Sequence, residues 1–249
     1  MTQLGAQMFT VRAFTQTESD LLSTFRKLRA IGYEAVQISA IGAGIPVPAV
    51  AAGLKETGLA CAATHISFDD CKKDLAAVVE KHRAWGCEYV GVGSMPEAYR
   101  ADAAGFARFA REASDVADAL AKEGLKFVYH NHNFEFRSFG GKTGMEILFE
   151  ETSPNFQFEL DTFWVQKGAS DVRAWIEKVR GRMDVVHFKD MALDDKSEQV
   201  MAEIGQGNLN WDGIIAACRD IGVKWYLVEQ DDCRGRDPFE SLKISYDFL

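Results

Sequence analysis

Eight short apolar runs, separated by amphipathic stretches that end five times in glycine, constrain the fold of this chain more than any other feature. An apolar run of about four to eight residues reads as a buried strand, and apolar spacing of three and four reads as a helix with one buried face. The runs fall at 3–11, 35–39, 59–65, 89–93, 126–132, 156–161, 184–189 and 224–229. Helical spacing predicts segments at 18–31, 48–57, 70–85, 102–123, 142–152, 170–180, 211–221 and 236–248. Gly32, Gly58, Gly86, Gly124 and Gly222 stand where such helices stop, as expected of left-handed C-caps before a strand. No linker, charge block or low-complexity segment interrupts the alternation. The expectation is an α/β fold with one domain over residues 1–249, a single (β/α)8 TIM barrel, for which about 250 residues is typical. A doubly wound sheet is the competitor. Its dinucleotide form needs G-x-G-x-x-G after the first strand, where Thr10-Val-Arg-Ala-Phe14 stands instead.

Composition removes several classes of function. A net charge of −9 is wrong for a chain whose main partner is a nucleic-acid backbone. No apolar run is long enough to span a bilayer, and the N-terminus reads as a strand rather than a leader, so a cytoplasmic location is expected. The five cysteines are scattered and show no C-x-x-C pairing, which fits reduced thiols.

Polar side chains at the ends of the later strands carry the chemistry. In an α/β barrel the C-terminal strand ends share one face, and different strands each contribute a functional residue. His65, His130, His132, Glu135, Asp161, His187, Lys189, Glu229 and Asp231 all fall there, whereas His82 lies mid-helix and reads as a surface residue. Each has a plainer reading alone: Asp161 equally suits the cap of a following helix. Together, carboxylates and imidazoles without thiolates suit one divalent ion, Mn, Co, Zn or Mg, in an open catalytic site. Such an ion, polarising a carbonyl beside a side-chain base, suits proton abstraction to an enediolate.

The motifs make the resemblance specific. Gln3-to-Arg12, Tyr129-His-Asn-His-Asn-Phe-Glu-Phe136, Glu159-Leu-Asp-Thr-Phe-Trp-Val165, His187-Phe-Lys-Asp-Met191, Ile204-Gly-Gln-Gly-Asn-Leu-Asn-Trp211 and Val228-Glu-Gln-Asp231 resemble, in order, the series of the sugar phosphate isomerase/epimerase family of xylose-isomerase-like TIM barrels. The resemblance implies one metal ligand from each of strands five to eight. Asp161, His187 and Glu229 map onto the last three. Strand five departs, with His130-Asn131-His132 where many relatives place a Glu; either Glu135 folds back as ligand, the favoured reading, or His130 replaces the carboxylate. By the same resemblance Glu229 doubles as acid/base, His130 and His132 are catalytic or substrate-contact candidates, and His65, Trp164 and Lys189 contact substrate.

The implied activity is a metal-dependent isomerase or epimerase acting on a sugar or keto-sugar. The alternative is a lyase on the same scaffold, dehydrating an inosose-like compound or cleaving an oxidised glycoside by β-elimination. The expected partner is a small-molecule carbohydrate, with no nucleic acid and no membrane, and a homodimer by analogy with other barrels.

Overall fold

Residues 3–249 are described by a computed structural model. Eight parallel strands form its central sheet: β1 (Gln3–Gln7), β2 (Ala35–Ile38), β3 (Ala60–Thr64), β4 (Tyr89–Val92), β5 (Lys126–His130), β6 (Phe156–Asp161), β7 (Val185–Phe188) and β8 (Trp225–Val228). The ladder runs β3–β2–β1–β8–β7–β6–β5–β4, so the first and last strands pair and the sheet curls into a barrel. Its seam lies between β3 and β4, which meet through one isolated bridge, Ile66–Val92. A Cβ on Gly91 would lie 2.0 Å from the Thr64 carbonyl oxygen, so the close approach at the seam requires glycine.

Among the described residues ten α-helices lie between and after the strands: α1 (Glu18–Ile31), α2 (Val47–Thr57), α3 (Phe68–Lys73), α4 (Leu75–Trp85), α5 (Ala103–Lys122), α6 (Gly144–Glu151), α7 (Thr162–Lys167), α8 (Val172–Lys178), α9 (Trp211–Ile221) and α10 (Pro238–Phe248). Each of the five predicted glycine stops has positive φ. Phe25, Phe106, Phe109, Phe127, Phe156 and Phe158 are fully buried in the core formed by strands and helices, and each buried ring contributes roughly 1.5–3 kcal/mol. None of the described helices is long and apolar enough to cross a membrane.

Inside the barrel a separate cluster of Ala35, Ala62, Ala63, Tyr89, Val128, Val185 and Leu227 is fully packed. The two-residue pleat then sets what comes above it. Gln37 follows Ala35, His130 follows Val128, His187 follows Val185 and Glu229 follows Leu227. Apolar packing below therefore aims four polar side chains into the same space.

Several elements depart from the sequence expectation. The first strand stops at Gln7, because the Gln7 side chain accepts from Phe9 N and starts a 3-10 helix over Met8–Phe14. The predicted helix at 70–85 breaks at Asp74, which caps α4 through Ala77 N at 3.0 Å. Segment 190–210 contains a hairpin, Asp190–Leu193 against Gln199–Ala202. Asp190 anchors its return by accepting from Gly205 N, Gly207 N, Leu209 N and Trp211 Nε1. His82 is not a surface residue. It is fully buried, with Nε2 2.7 Å from Thr64 Oγ1 and Nδ1 2.7 Å from the Val78 carbonyl, and burial pulls it down to about 4.

Candidate metal centre

Four of the anticipated strand-end residues converge. His130, Asp161, His187 and Glu229 are all buried, and each offers one donor atom within 4.8 Å of the others. His130 Nε2 lies 3.1 Å from Asp161 Oδ2, and His187 Nδ1 lies 3.0 Å from Glu229 Oε2 and 3.9 Å from Asp161 Oδ2. Asp161 caps α7, Oδ1 accepting from Trp164 N at 2.8 Å, while Oδ2 faces the group.

The far side of each imidazole fixes which nitrogen is presented. His130 Nδ1 sits 3.0 Å from the Gly93 carbonyl, an obligate acceptor, so Nδ1 carries the proton and Nε2 is left facing Asp161. His187 Nε2 sits 2.5 Å from Gln37 Oε1 and 3.3 Å from Glu159 Oε1. The Gln37 amide nitrogen donates to Glu159 Oε1 at 2.8 Å, so its oxygen is the atom turned to His187. Nδ1 of a neutral His187 is then a lone pair aimed at two carboxylates. An imidazole lone pair repels the carboxylate oxygens it faces unless a proton or a metal ion lies between them. Without a metal, a proton serves that purpose: against burial, Glu159 and Glu229 push His187 up to about 10. A divalent ion replaces such a proton on binding, and the donor set fits one.

Lys189 is buried among the carboxylates, its Nζ 3.0 Å from Asp161 Oδ2, 2.8 Å from Glu229 Oε2 and 3.2 Å from Asp231 Oδ1. Burial opposes their ionisation, but Lys189 holds the Asp161 and Glu229 carboxyls below the usual range, with His130 assisting at Asp161 and His187 at Glu229. Burial and the adjacent Glu229 push Asp231 up to about 6 despite Lys189.

A cavity of about 460 Å³ opens above this group, and Lys189, Glu229, Asp231, His65, His130, His132 and Trp164 are among its lining residues. His132 Nδ1 and Trp164 Nε1 are buried there with no hydrogen-bond partner. Burial and then His130 pull His132 down to about 3, so its imidazole is neutral. His65 reaches the wall with both nitrogens engaged: Nε2 with Glu159 Oε2 at 2.5 Å and Nδ1 with Gln7 Nε2 at 3.2 Å.

Glu135, the favoured strand-five ligand on sequence grounds, is not brought into the group. The 3-10 turn at Phe134–Phe136 folds its carboxylate back to Tyr129 Oη at 2.6 Å and His132 N at 2.9 Å. Burial raises it to about 7 against those bonds. His130 occupies the strand-five place instead. Sequence reasoning missed Glu159 and Gln37, which lie fully buried below the donors. The signal was available: Glu159 precedes Asp161 by one pleat period on β6 and so shares its face.

The same architecture recurs elsewhere. A sugar phosphate isomerase/epimerase from Parabacteroides distasonis ATCC 8503 superposes with a TM-score of 0.83 at 20% identity, over 100% of this chain and 93% of that one. An L-ribulose 3-epimerase gives 0.74 at 19% identity, over 100% and 93% of the two chains. The IolI protein with a zinc atom bound gives 0.68 at 13% identity, over 99% and 96%. At such identities the likeness is one of fold. No protein of curated function matches the chain in sequence. Residues 25–249 match the family model described as a xylose isomerase-like TIM barrel, and with nine-tenths of its length covered this chain belongs to that family.

Proposed function

We propose that this protein is a divalent-metal-dependent isomerase or epimerase of a sugar or keto-sugar. One observation carries the reading: two imidazoles with their free nitrogens turned inward, and two carboxylates, meet at the base of a cavity sized for a small ligand. Mixed nitrogen and oxygen donors suit Mn²⁺, Co²⁺ or Zn²⁺ better than Mg²⁺, which takes oxygen. The L-ribulose 3-epimerase among the structural neighbours, and the zinc atom in the IolI protein, are consistent with it.

His130, Asp161, His187 and Glu229 would hold the ion. When bound, it polarises a substrate carbonyl or hydroxyl and acidifies the neighbouring C–H. Glu229, kept ionised by Lys189, takes that proton. His132 comes from the other flank of the donor group, in the loop that follows β5, a strand separated from β8 by β6 and β7. Its neutral ring accepts or relays a proton, or binds a hydroxyl. Return of the proton to the adjacent carbon gives an isomer; return to the opposite face of the same carbon gives an epimer. Trp164 packs on a sugar's C–H face, and Lys189, its donors turned to Asp161, Glu229 and Asp231, orients those carboxylates at the cavity. His65 braces Glu159 from the wall.

The test is chelator stripping and reloading with each ion, assayed on an aldose and ketose panel in D₂O. Turnover should vanish, return on reloading, and place deuterium beside the carbonyl. Full turnover by the stripped protein overturns the reading. Asp231 favours the lyase alternative, since a carboxyl raised to about 6 can protonate a leaving group. A product lighter than substrate by a water or a leaving group would select it.

A further inference from the structure

We infer that the cavity takes an uncharged sugar or polyol and rejects the corresponding phosphate ester, and that Asp231 is the residue that sets this preference. The inference rests on the donor group being the reaction centre. It concerns the charge of the molecule that reaches it.

Among the lining residues Lys189 is the one permanent cation. An ammonium has three N–H donors, and Asp161, Glu229 and Asp231 offer it three carboxylates at 3.0, 2.8 and 3.2 Å. No donor is left over for an incoming phosphate. Two arginines lie near the wall, but neither lines the cavity, and both turn donors to the main chain. Arg12 donates to the Phe9 and Asp231 carbonyls at 2.7 and 3.1 Å. Arg100 donates to the Met95 carbonyl and to Ser94 Oγ, at 2.8 and 2.9 Å.

Charge leads to the same conclusion. With a divalent ion on the donors, its charge and that of Lys189 balance the carboxylates of Asp161, Glu229 and Asp231. A phosphate dianion adds charge that nothing in the wall offsets, in a partly desolvated space where repulsion is poorly screened. Asp231 is the member of that set that is not in the donor group, and it faces the cavity. It both occupies Lys189 and supplies the repelling charge.

What the wall offers is suited to neutral hydroxyls. His132 Nδ1 and Trp164 Nε1 are buried without partners, on rings 5.2 Å apart. Buried polar atoms of this kind call for a partner, and a hydroxyl can accept from the indole while donating to the imidazole. Ser39, Ser67 and Ser94 add uncharged contacts around the same space.

Calorimetric titration of the Mn²⁺-loaded protein with D-fructose, D-xylulose, D-fructose 6-phosphate and D-xylulose 5-phosphate tests this. Each free ketose should bind about tenfold or more tightly than its ester, a difference of at least about 1.4 kcal/mol. Asp231→Asn, checked for an unchanged melting transition, should narrow that ratio by strengthening the ester; Asp231→Ser serves if Asn disturbs folding. An ester that binds as well as its parent, or no binding by either ketose, overturns the inference. An unchanged ratio in a folded Asp231 variant removes that residue's role. The two readings fail separately: chelator-sensitive turnover of an ester sinks this one alone, whereas a ketose bound tightly but never turned over sinks the isomerase reading alone.

Discussion

The two ends of the barrel both carry buried or half-buried charge, but their donor counts run in opposite directions. At the N-terminal end Asp184 accepts from Tyr89 Oη at 2.9 Å, Lys126 Nζ at 2.9 Å and Lys224 Nζ at 3.0 Å. One carboxylate there has three donors, and both lysines reach solvent. At the C-terminal end one lysine serves three carboxylates, with two imidazole nitrogens facing them as well. The first arrangement is complete as it stands. The second has more acceptors than donors, and that surplus distinguishes a binding site from a structural ion cluster.

The contrast breaks most sharply at Asp161. Asp161→Ala removes a proposed metal donor and the α7 cap together. Metal affinity should fall by more than the hundredfold typical of outer-shell changes, with turnover falling in step, and stability by about 1 kcal/mol from the cap. Isothermal titration with Mn²⁺ measures the first, and unchanged affinity would show that the surplus acceptors do not bind metal.

Glu159→Gln is the next largest. Glu159 touches His65, Gln37 and His187 but no cavity surface. Replacing it should weaken metal binding by about 10- to 100-fold, read by chelator competition, while leaving the fold intact. A variant that binds metal normally would show that Gln37 alone orients His187.

His82 tests burial away from either end. Its folded value of about 4 lies below the usual imidazole value of 6.5, so the unfolded chain binds the extra proton in that interval. Its contribution is complete above about pH 6.5 and is lost as pH falls towards 4, by at most about 3 kcal/mol. Urea titrations at pH 7 and pH 4.5 should show that His82→Gln flattens this dependence; a slope equal to wild type would assign acid sensitivity to other groups. The smallest effect is expected at the N-terminal end. Asp184→Asn should cost about 1 kcal/mol or less and leave metal affinity unchanged.

The alternation of apolar runs and glycine-stopped helices made the barrel legible, because both periods are written locally. The convergence of Asp161, His187 and Glu229 was legible for the same reason: strand order fixes where strand ends meet. Glu135 was not. Its position depends on which way a short turn after β5 folds, and the Tyr129 hydroxyl that captures its carboxylate lies six residues back on a buried strand. His82 was misread because mid-helix placement does not reveal that the helix face carrying it meets Thr64. Gln37 and Glu159 were passed over as polar interruptions of apolar runs, although the pleat places them directly beneath the donors.

The seam at Gly91 has a consequence for motion. Every other neighbouring pair in the ring is joined by a ladder, whereas β3 and β4 share an isolated bridge. Breathing of the barrel should begin there, where least must be given up. The strand that parts would carry away Gly93, whose carbonyl steers the ring of His130. Release of the ion and opening of the staves would then be the same event, seen as amide exchange along Tyr89–Val92 that slows when metal is added.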